Sequence, residues 1–258
     1  MYFLFFFYIY YKMNLNNMEE KCYLKKFYNQ NDYESQKNEV MTRQHIVLLE
    51  GTNSIVFEDG YDFVDLGLPS GTLWATCNVG AESEEDFGLY FSWGNVEGAP
   101  KDGIESGEFT FGTYGNMVKY MDTATETFTK YTTIDGKGVL DLEDDAAYVH
   151  IGGNCHMPTK EQCEELTANT TSIWTSRNGV NGRLFTSKTN SNSIFIPASG
   201  QGSFDGTIQA KEYAYIATKN VFNIGSAYDY FYSLWCTENK VIIDNNSRIY
   251  GIPIRAVK

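Results

Sequence analysis

Short apolar runs separated by glycine-containing turns are the feature that most limits how this chain can fold. From Tyr61 onward strand-forming stretches alternate with turns, and the chain holds 23 glycines, 19 tyrosines and 17 phenylalanines. Aromatic and β-branched residues favour strands, whereas glycine, asparagine and serine favour turns. The pattern therefore predicts short strands and long loops, and it argues against long stacked helices. The 258 residues suffice for one large domain and a short arm.

Two segments depart from this pattern and predict helices. LDLEDDAAYVHIGG has acidic residues at its start and Gly152 and Gly153 at its end, which suits the helix dipole and a glycine C-cap. MPTKEQCEELTANT contains Thr159 and Gln162 at the spacing of a capping box. Cys163 shares one face of this second helix with apolar neighbours, so we expect it to face the core.

The charge distribution bears on the kind of partner. The formal net charge is −13, and residues 12–48 hold six basic residues against five acidic ones. The rest of the chain therefore carries 14 basic and 28 acidic residues. Because so acidic a surface repels phosphate, we expect no nucleic-acid partner.

The five cysteines are odd in number and show no tight spacing. We expect reduced thiols, with a disulfide or a metal site as the alternatives. Cys77 would share a strand face with Ala75 and Val79, and it has no histidine or lysine beside it in sequence to make it a thiolate. We expect Cys77 to be a small apolar plug in the core, not a nucleophile.

The remaining candidates for chemistry are few. Cys155 and His156 are adjacent, so on an extended chain they point to opposite faces and do not form a dyad. The acids of DLEDD could hold calcium, but Ala146 and Ala147 follow directly, which favours a helix N-terminus. No nucleotide-binding, serine-hydrolase or zinc-protease motif occurs. We therefore expect no enzyme activity, no metal and no cofactor.

The N-terminal 60 residues differ from the rest. Residues 1–17 form an apolar leader whose run Tyr2–Tyr11 is too short to span a bilayer, and it lacks the features of an export signal. Residues 18–60 are polar, with strand-forming runs at Ile46–Leu49 and Ile55–Phe57. We interpret residues 18–60 as an arm for docking or oligomerisation, and residues 61–258 as the main domain.

Six sequence blocks occur in a characteristic order. They are FVDLGLPSGTLWATCNVGA, YFSWG, LDLEDDAAYVHIGG, MPTKEQCEEL, NGVNGRLFTSKTNSNSIFIPASG and GIPIRAV. Over residues 61–257 the chain resembles the paralogous surface domain named after Fibrobacter succinogenes, a family similar to the C-type lectin-like fold. The resemblance implies an α+β fold: two helices around small twisted antiparallel sheets, with a long loop-rich ligand face.

The sequence also departs from that family. Cys155-His156 stands where the family has Trp-Arg, and the strand Tyr213–Thr218 lacks the usual tryptophan. The paired cysteines of the formylglycine-generating enzymes and the Glu-Pro-Asn triplet of calcium lectins are missing as well. The resemblance therefore implies the fold and not the chemistry.

Candidate ligand-binding residues lie in the C-terminal segments, where tyrosine, phenylalanine and isoleucine alternate. The candidates are Tyr213, Tyr215, Tyr228, Tyr230, Tyr232, Trp235, Asn245 and Arg248.

The arm sequence YNQNDYESQKNEVMTRQHIVLLEGTNSIVFEDG resembles the leader of this domain in structural proteins of gut Bacteroides phages, including crAss-like ones. That resemblance implies a non-enzymatic virion protein, a head fibre or a tail-associated decoration, assembled in the host cytoplasm. Its partners would be other virion proteins through the arm, further copies of itself, and a host surface glycan or protein. We expect no membrane span. The alternative is a bacterial cell-surface lectin-like adhesion protein.

Overall fold

The computed structural model describes residues 61–222 and 230–258 in full, together with the backbone of four strands that precede them. The chain divides into two compact units, Met1–Gly60 and Tyr61–Lys258. No helix among the described residues is both long and apolar enough to cross a membrane.

The first unit contains two antiparallel hairpins. Strand β1 (Phe7–Met13) pairs with β2 (Glu20–Lys26), and β3 (Gln44–Leu48) pairs with β4 (Ile55–Asp59). The strand-forming runs of the arm correspond to β3 and β4, which pair with each other.

The second unit is a mixed α+β fold with small antiparallel sheets and few helices, which confirms the coarse prediction. Its helices are α1 (Lys101–Glu105), α2 (Ala146–Ile151), preceded by a 3₁₀ turn (Leu142–Asp144), and α3 (Lys160–Asn169). Its strands are β5 (Phe63–Asp65), β6 (Leu73–Ala75), β7 (Tyr90–Phe91), β8 (Met121–Asp122), β9 (Thr127–Phe128), β10 (Thr170–Arg177), β11 (Val180–Ser187), β12 (Ser193–Pro197), β13 (Gln201–Gly202), β14 (Ile208–Gln209), β15 (Ala214–Val221), β16 (Tyr230–Cys236), β17 (Val241–Ser247) and β18 (Ile252–Pro253).

Local signals set the helix ends. In α2 the Asp145 side chain accepts a hydrogen bond from the Tyr148 amide, and Gly152 follows with φ 81°. In α3 Thr159 and Gln162 form the predicted capping box. Cys163 is fully buried, so its predicted orientation is confirmed.

The two largest sheets of the second unit are three-stranded and antiparallel, with the orders β10–β11–β12 and β15–β16–β17. Strands β10 and β11 are joined by Asn178-Gly179, both at positive φ (47° and 84°), as a two-residue hairpin turn requires. In β16 alternate side chains enter different cores: Leu234 and Cys236 join one cluster, and Phe231 and Trp235 join the other. The second sheet therefore separates two cores.

The start and the end of the second unit lie side by side. The Leu73 amide donates to the Lys258 carbonyl and the Ala75 amide donates to the Ala256 carbonyl, each at 2.9 Å. Trp74 has no exposed surface and belongs to the same core as Leu234. Strand β6 is thus held in place by the last residues of the chain.

The fully buried Arg255 reinforces this closure. Its guanidinium donates to the Asn78 side-chain oxygen at 2.9 Å and to the carbonyls of Ala75, Thr76 and Phe195 at 3.0, 2.8 and 3.0 Å. Burial lowers the pKa of Arg255 to about 10. A single side chain thus ties the first sequence block to strand β12 and to the last block.

Residues 76–141, called here the loop segment, contain only short regular elements: β7, α1, β8 and β9. This agrees with the short strands and long loops that the sequence pattern predicts. Part of the loop segment packs around the ring of Phe111. A Cβ atom would lie 2.7 Å from this ring at position Gly202 and 2.2 Å from it at position Gly251, which is too close for either contact. Glycine is required at both positions.

Candidate functional site

Most of the predicted ligand-binding residues lie on the β15–β16–β17 sheet, but on opposite faces of it. Tyr215 pairs with Trp235 across β15 and β16, so these two side chains share one face. Tyr232 pairs with Asn245, and Tyr230 lies on that second face because side chains alternate along a strand. A single small ligand cannot contact both sets. Tyr228 lies outside the described residues.

The first face carries a cluster of three aromatic rings. Tyr213 and Tyr215 stack with centroids 5.7 Å apart and planes at 11°. Trp235 stands edge-on to both, at 5.9 Å and 88° from Tyr213 and at 5.6 Å and 79° from Tyr215. Tyr215 is buried, whereas Tyr213 and Trp235 are half-exposed. We call Tyr213 and Trp235 the aromatic corner.

Polar and apolar side chains surround the aromatic corner. Ile242 pairs with Trp235, and Asp244 follows on the same face of β17; both are half-exposed. Beside Tyr213, the exposed Lys211 and Glu212 follow Ala210, which has a φ of 51°. The corner therefore combines ring surface with nearby carboxylates.

The second face is occupied by contacts within the protein. Tyr232 packs against Phe222 with centroids 4.8 Å apart, and the Lys160 ammonium lies 5.2 Å from the Tyr232 ring centre. Lys160 is itself paired with Glu164 at 2.7 Å. Tyr232 therefore stabilises the contact between sheet and helix α3.

Arg248 does not reach the surface, so the prediction that it contacts a ligand is wrong for this structure. The residue has no exposed area. Its guanidinium carbon lies 3.7 Å from the Phe128 ring centre and 4.7 Å from that of Trp93, and it donates to the Lys130 carbonyl at 3.1 Å. Cation–π contacts with these aromatic rings stabilise the buried guanidinium of Arg248.

The acids that could have held calcium surround a lysine instead. Oxygens of Asp141, Glu143 and Asp144 lie within 4.8 Å of one another, the spacing of a cation site. The Lys130 Nζ atom lies 3.0 Å from Asp141, 3.2 Å from Glu143 and 2.7 Å from Asp144. The Lys130 ammonium thus lies among the three carboxylates, and Lys119 and Lys137 pair with Asp144 and Asp141 as well.

Asp144 is the centre of this cluster, and its side chain is fully buried. It accepts hydrogen bonds from Lys119 at 2.6 Å, Lys130 at 2.7 Å, the Tyr120 hydroxyl at 2.8 Å and the Tyr131 hydroxyl. Burial alone would raise the pKa of the Asp144 carboxyl, but these donors outweigh it and lower the pKa to about 2. Asp144 therefore stays ionised and fixes the second half of the loop segment.

Two of these donors have an uncommon backbone conformation. Tyr120 has a φ of 62° and Tyr131 a φ of 60°, in the left-handed region that bulky residues rarely adopt. From this conformation both hydroxyls reach Asp144. The hydrogen bonds to a buried carboxylate compensate for the local strain.

The described cysteines and histidines make contacts within the protein. Cys77 is only half-buried, so the prediction that it is a plug in the core is wrong. Strand β6 ends at Ala75, before Cys77, and the next carbonyl, that of Thr76, accepts a hydrogen bond from Arg255. Burial raises the pKa of the Cys77 thiol, although Arg255 opposes the shift, so a thiolate is not favoured. His150 and His156 contact the carbonyls of Val96 and Met157 at 2.9 and 2.8 Å.

Ile242 and Asp244 beside the aromatic corner, like Lys130 at the carboxylates, are not among the candidates that the sequence pattern indicates. Ile242 and Asp244 could have been predicted from the segment YSLWCTENKVIID. It has a short polar turn between two apolar strands, and the length of such a turn fixes which residues lie opposite each other. Lys130 carries no such signal, because its contacts depend on how the loop segment folds back.

Searches for similar proteins were negative in every comparison. No protein-family model, no curated protein and no solved structure matches the chain.

Proposed function

We propose that this chain is a non-enzymatic phage virion protein, a head fibre or tail-associated decoration. In this proposal residues 61–258 form a C-type lectin-like domain that binds a glycan or protein on the host surface. The arm, residues 18–60, joins the protein to other virion proteins and to further copies of itself.

The observation that carries the proposal is the loop segment fixed around Asp144. A long stretch with little regular structure is held in one conformation by two lysines and two tyrosines on one buried carboxylate. Rigid loops on a scaffold of strands and helices suit recognition, because little conformational entropy is lost on binding. Small antiparallel sheets and long loops are also what the family resemblance implies, although helix α1 is additional to the two helices expected from it.

The described ionisable side chains favour binding over catalysis. Cys163 and Cys236 are fully buried, and burial raises the pKa of both thiols. His150 and His156 contact backbone carbonyls, and Asp144 is saturated with donors. Catalysis of the common kinds needs a nucleophile beside a base, and the described part of the chain offers no such pair.

Particle labelling tests the proposal. Antibodies against residues 61–258 should label purified phage particles in electron microscopy, and they should reduce adsorption of those particles to host cells. Particles free of the protein would overturn the proposal. Recovery of the protein from the envelope of phage-free bacteria would support the surface-adhesion alternative instead.

A further inference from the structure

We infer that the aromatic corner of Tyr213 and Trp235 binds a neutral sugar ring of a host glycan. The inference rests on the proposed function in one respect: it places the bound glycan on the host surface. It adds the site and the chemical class of the ligand.

The corner combines one flat aromatic ring with a second ring that stands perpendicular to it. One face of Tyr213 lies against the buried Tyr215, so its other face is the one available to a ligand. Trp235 stands nearly perpendicular and forms a side wall. Small-ligand sites pair such apolar aromatic surfaces with a few polar groups, and the C–H face of a pyranose matches an aromatic plane.

The surrounding groups supply the polar part. Asp244 lies on the same sheet face as Trp235, and Glu212 directly precedes Tyr213. Carboxylates accept hydrogen bonds from sugar hydroxyls, which orients a ring that stacking alone would leave free to rotate. Lys211 beside them offers a donor.

Charge restricts the class of glycan. Residues 61–258 contain 14 basic and 25 acidic residues, and two of the acids flank the corner. Sulfated or sialylated glycans would meet like charge, which suppresses their binding. The geometry and the charge together favour a neutral hexose.

The sheet also supplies a matched control. Tyr232 lies on the opposite face of the same sheet, is half-exposed like Tyr213, and contacts Phe222 and Lys160 instead of the corner. A change at Tyr232 therefore perturbs the same strands without touching the proposed site.

The test measures binding of the full-length chain to immobilised mannan, dextran and β-galactan, with heparin as the anionic probe. We expect binding to at least one neutral polysaccharide and none to heparin. Tyr213→Ala should weaken binding by about tenfold or more, Tyr213→Phe should retain it, and Tyr232→Ala should stay within about twofold. Urea unfolding of each variant establishes that it is folded.

Several results would overturn the inference. They are binding to heparin alone, binding to none of the probes, and equal losses for Tyr213→Ala and Tyr232→Ala. Host envelopes can also be treated with protease or with periodate before binding is measured. If protease abolishes binding and periodate does not, the corner binds a protein partner and not a glycan. Particle labelling is independent of these measurements, so failure of this inference and failure of the virion assignment are distinguishable.

Discussion

At the scale of single residues, Asp144 brings four side chains of the loop segment together. Its neighbours DLEDD predict a helix start, and helix α2 does begin at Ala146. The donors Lys119, Tyr120, Lys130 and Tyr131 could not be predicted, because they reach Asp144 through the loop segment and not through a local pattern. Capping is encoded locally, whereas a buried carboxylate obtains its partners only when the chain is folded.

The first prediction compares Asp144 with Glu143. Asp144→Asn should lower the free energy of unfolding by about 3–5 kcal/mol, because it leaves two lysines without their buried counter-ion. Glu143 contacts the same Lys130, but its side chain is 76% exposed. Glu143→Gln should therefore cost less than about 1 kcal/mol. Urea unfolding of both variants measures the difference, and equal losses would contradict the structural role of Asp144.

The second prediction concerns acid stability. The folded-state pKa of Asp144 is about 2, below the value of about 3.9 in an unfolded chain. Its contribution of about 2–3 kcal/mol is therefore present above pH 4 and is lost as the pH falls towards 2. Burial raises the pKa of Asp145, which acts in the opposite direction. The difference between wild type and Asp144→Asn, measured by urea unfolding from pH 6 to pH 2, isolates Asp144 and should shrink with acid.

The third prediction concerns the thiols. We expect five reactive thiols per chain in denaturant without reductant, and Cys77, Cys163 and Cys236 are free thiols in the structure. In the native protein Cys163 and Cys236 should not react, because they are fully buried and burial raises their thiol pKa. Titration with a thiol reagent before and after denaturation gives both counts. Fewer than five thiols in denaturant would reveal a disulfide.

At the scale of elements, helices were easier to predict than sheets. Helix α3 carries its own start signal in Thr159 and Gln162. The strands of the C-terminal sheet were recognisable as alternating apolar runs, but which residues share a face depends on pairing between segments. Tyr232 and Trp235 both resemble ligand-binding aromatics in the sequence, and only the register places them on opposite faces.

The fourth prediction concerns strand β6. Trp74→Ala should lower the free energy of unfolding by about 3–5 kcal/mol, because the ring is fully buried in the core shared with Leu234. Ile173 in strand β10 is 59% exposed, so Ile173→Ala should change stability by no more than about 0.5 kcal/mol. Thermal and urea unfolding compare the two. An unchanged melting temperature for Trp74→Ala would contradict the burial of this ring.

At the scale of the whole molecule, the division at Gly60 indicates that the second unit has its own core. The fifth prediction is that residues 61–258 alone form a soluble, folded monomer with one cooperative unfolding transition. Near-ultraviolet circular dichroism and sedimentation measure fold and mass. Aggregation, or loss of tertiary signal without the first 60 residues, would show that the arm is part of the domain.

The meeting of strand β6 with the last residues has a consequence for protein synthesis. Ribosomes add roughly 5–20 residues per second, so Arg255 emerges roughly 9 to 36 s after Ala75. Until then the carbonyls of Ala75 and Thr76 and the Trp74 strand lack the partners that the finished domain gives them. The contacts between strand β6 and residues 255–258 therefore form only after nearly all of the second unit has been synthesised. Without residues 255–258, strand β6 would keep its pairing with β5 and would lose the hydrogen bonds from the Leu73 and Ala75 amides to Lys258 and Ala256.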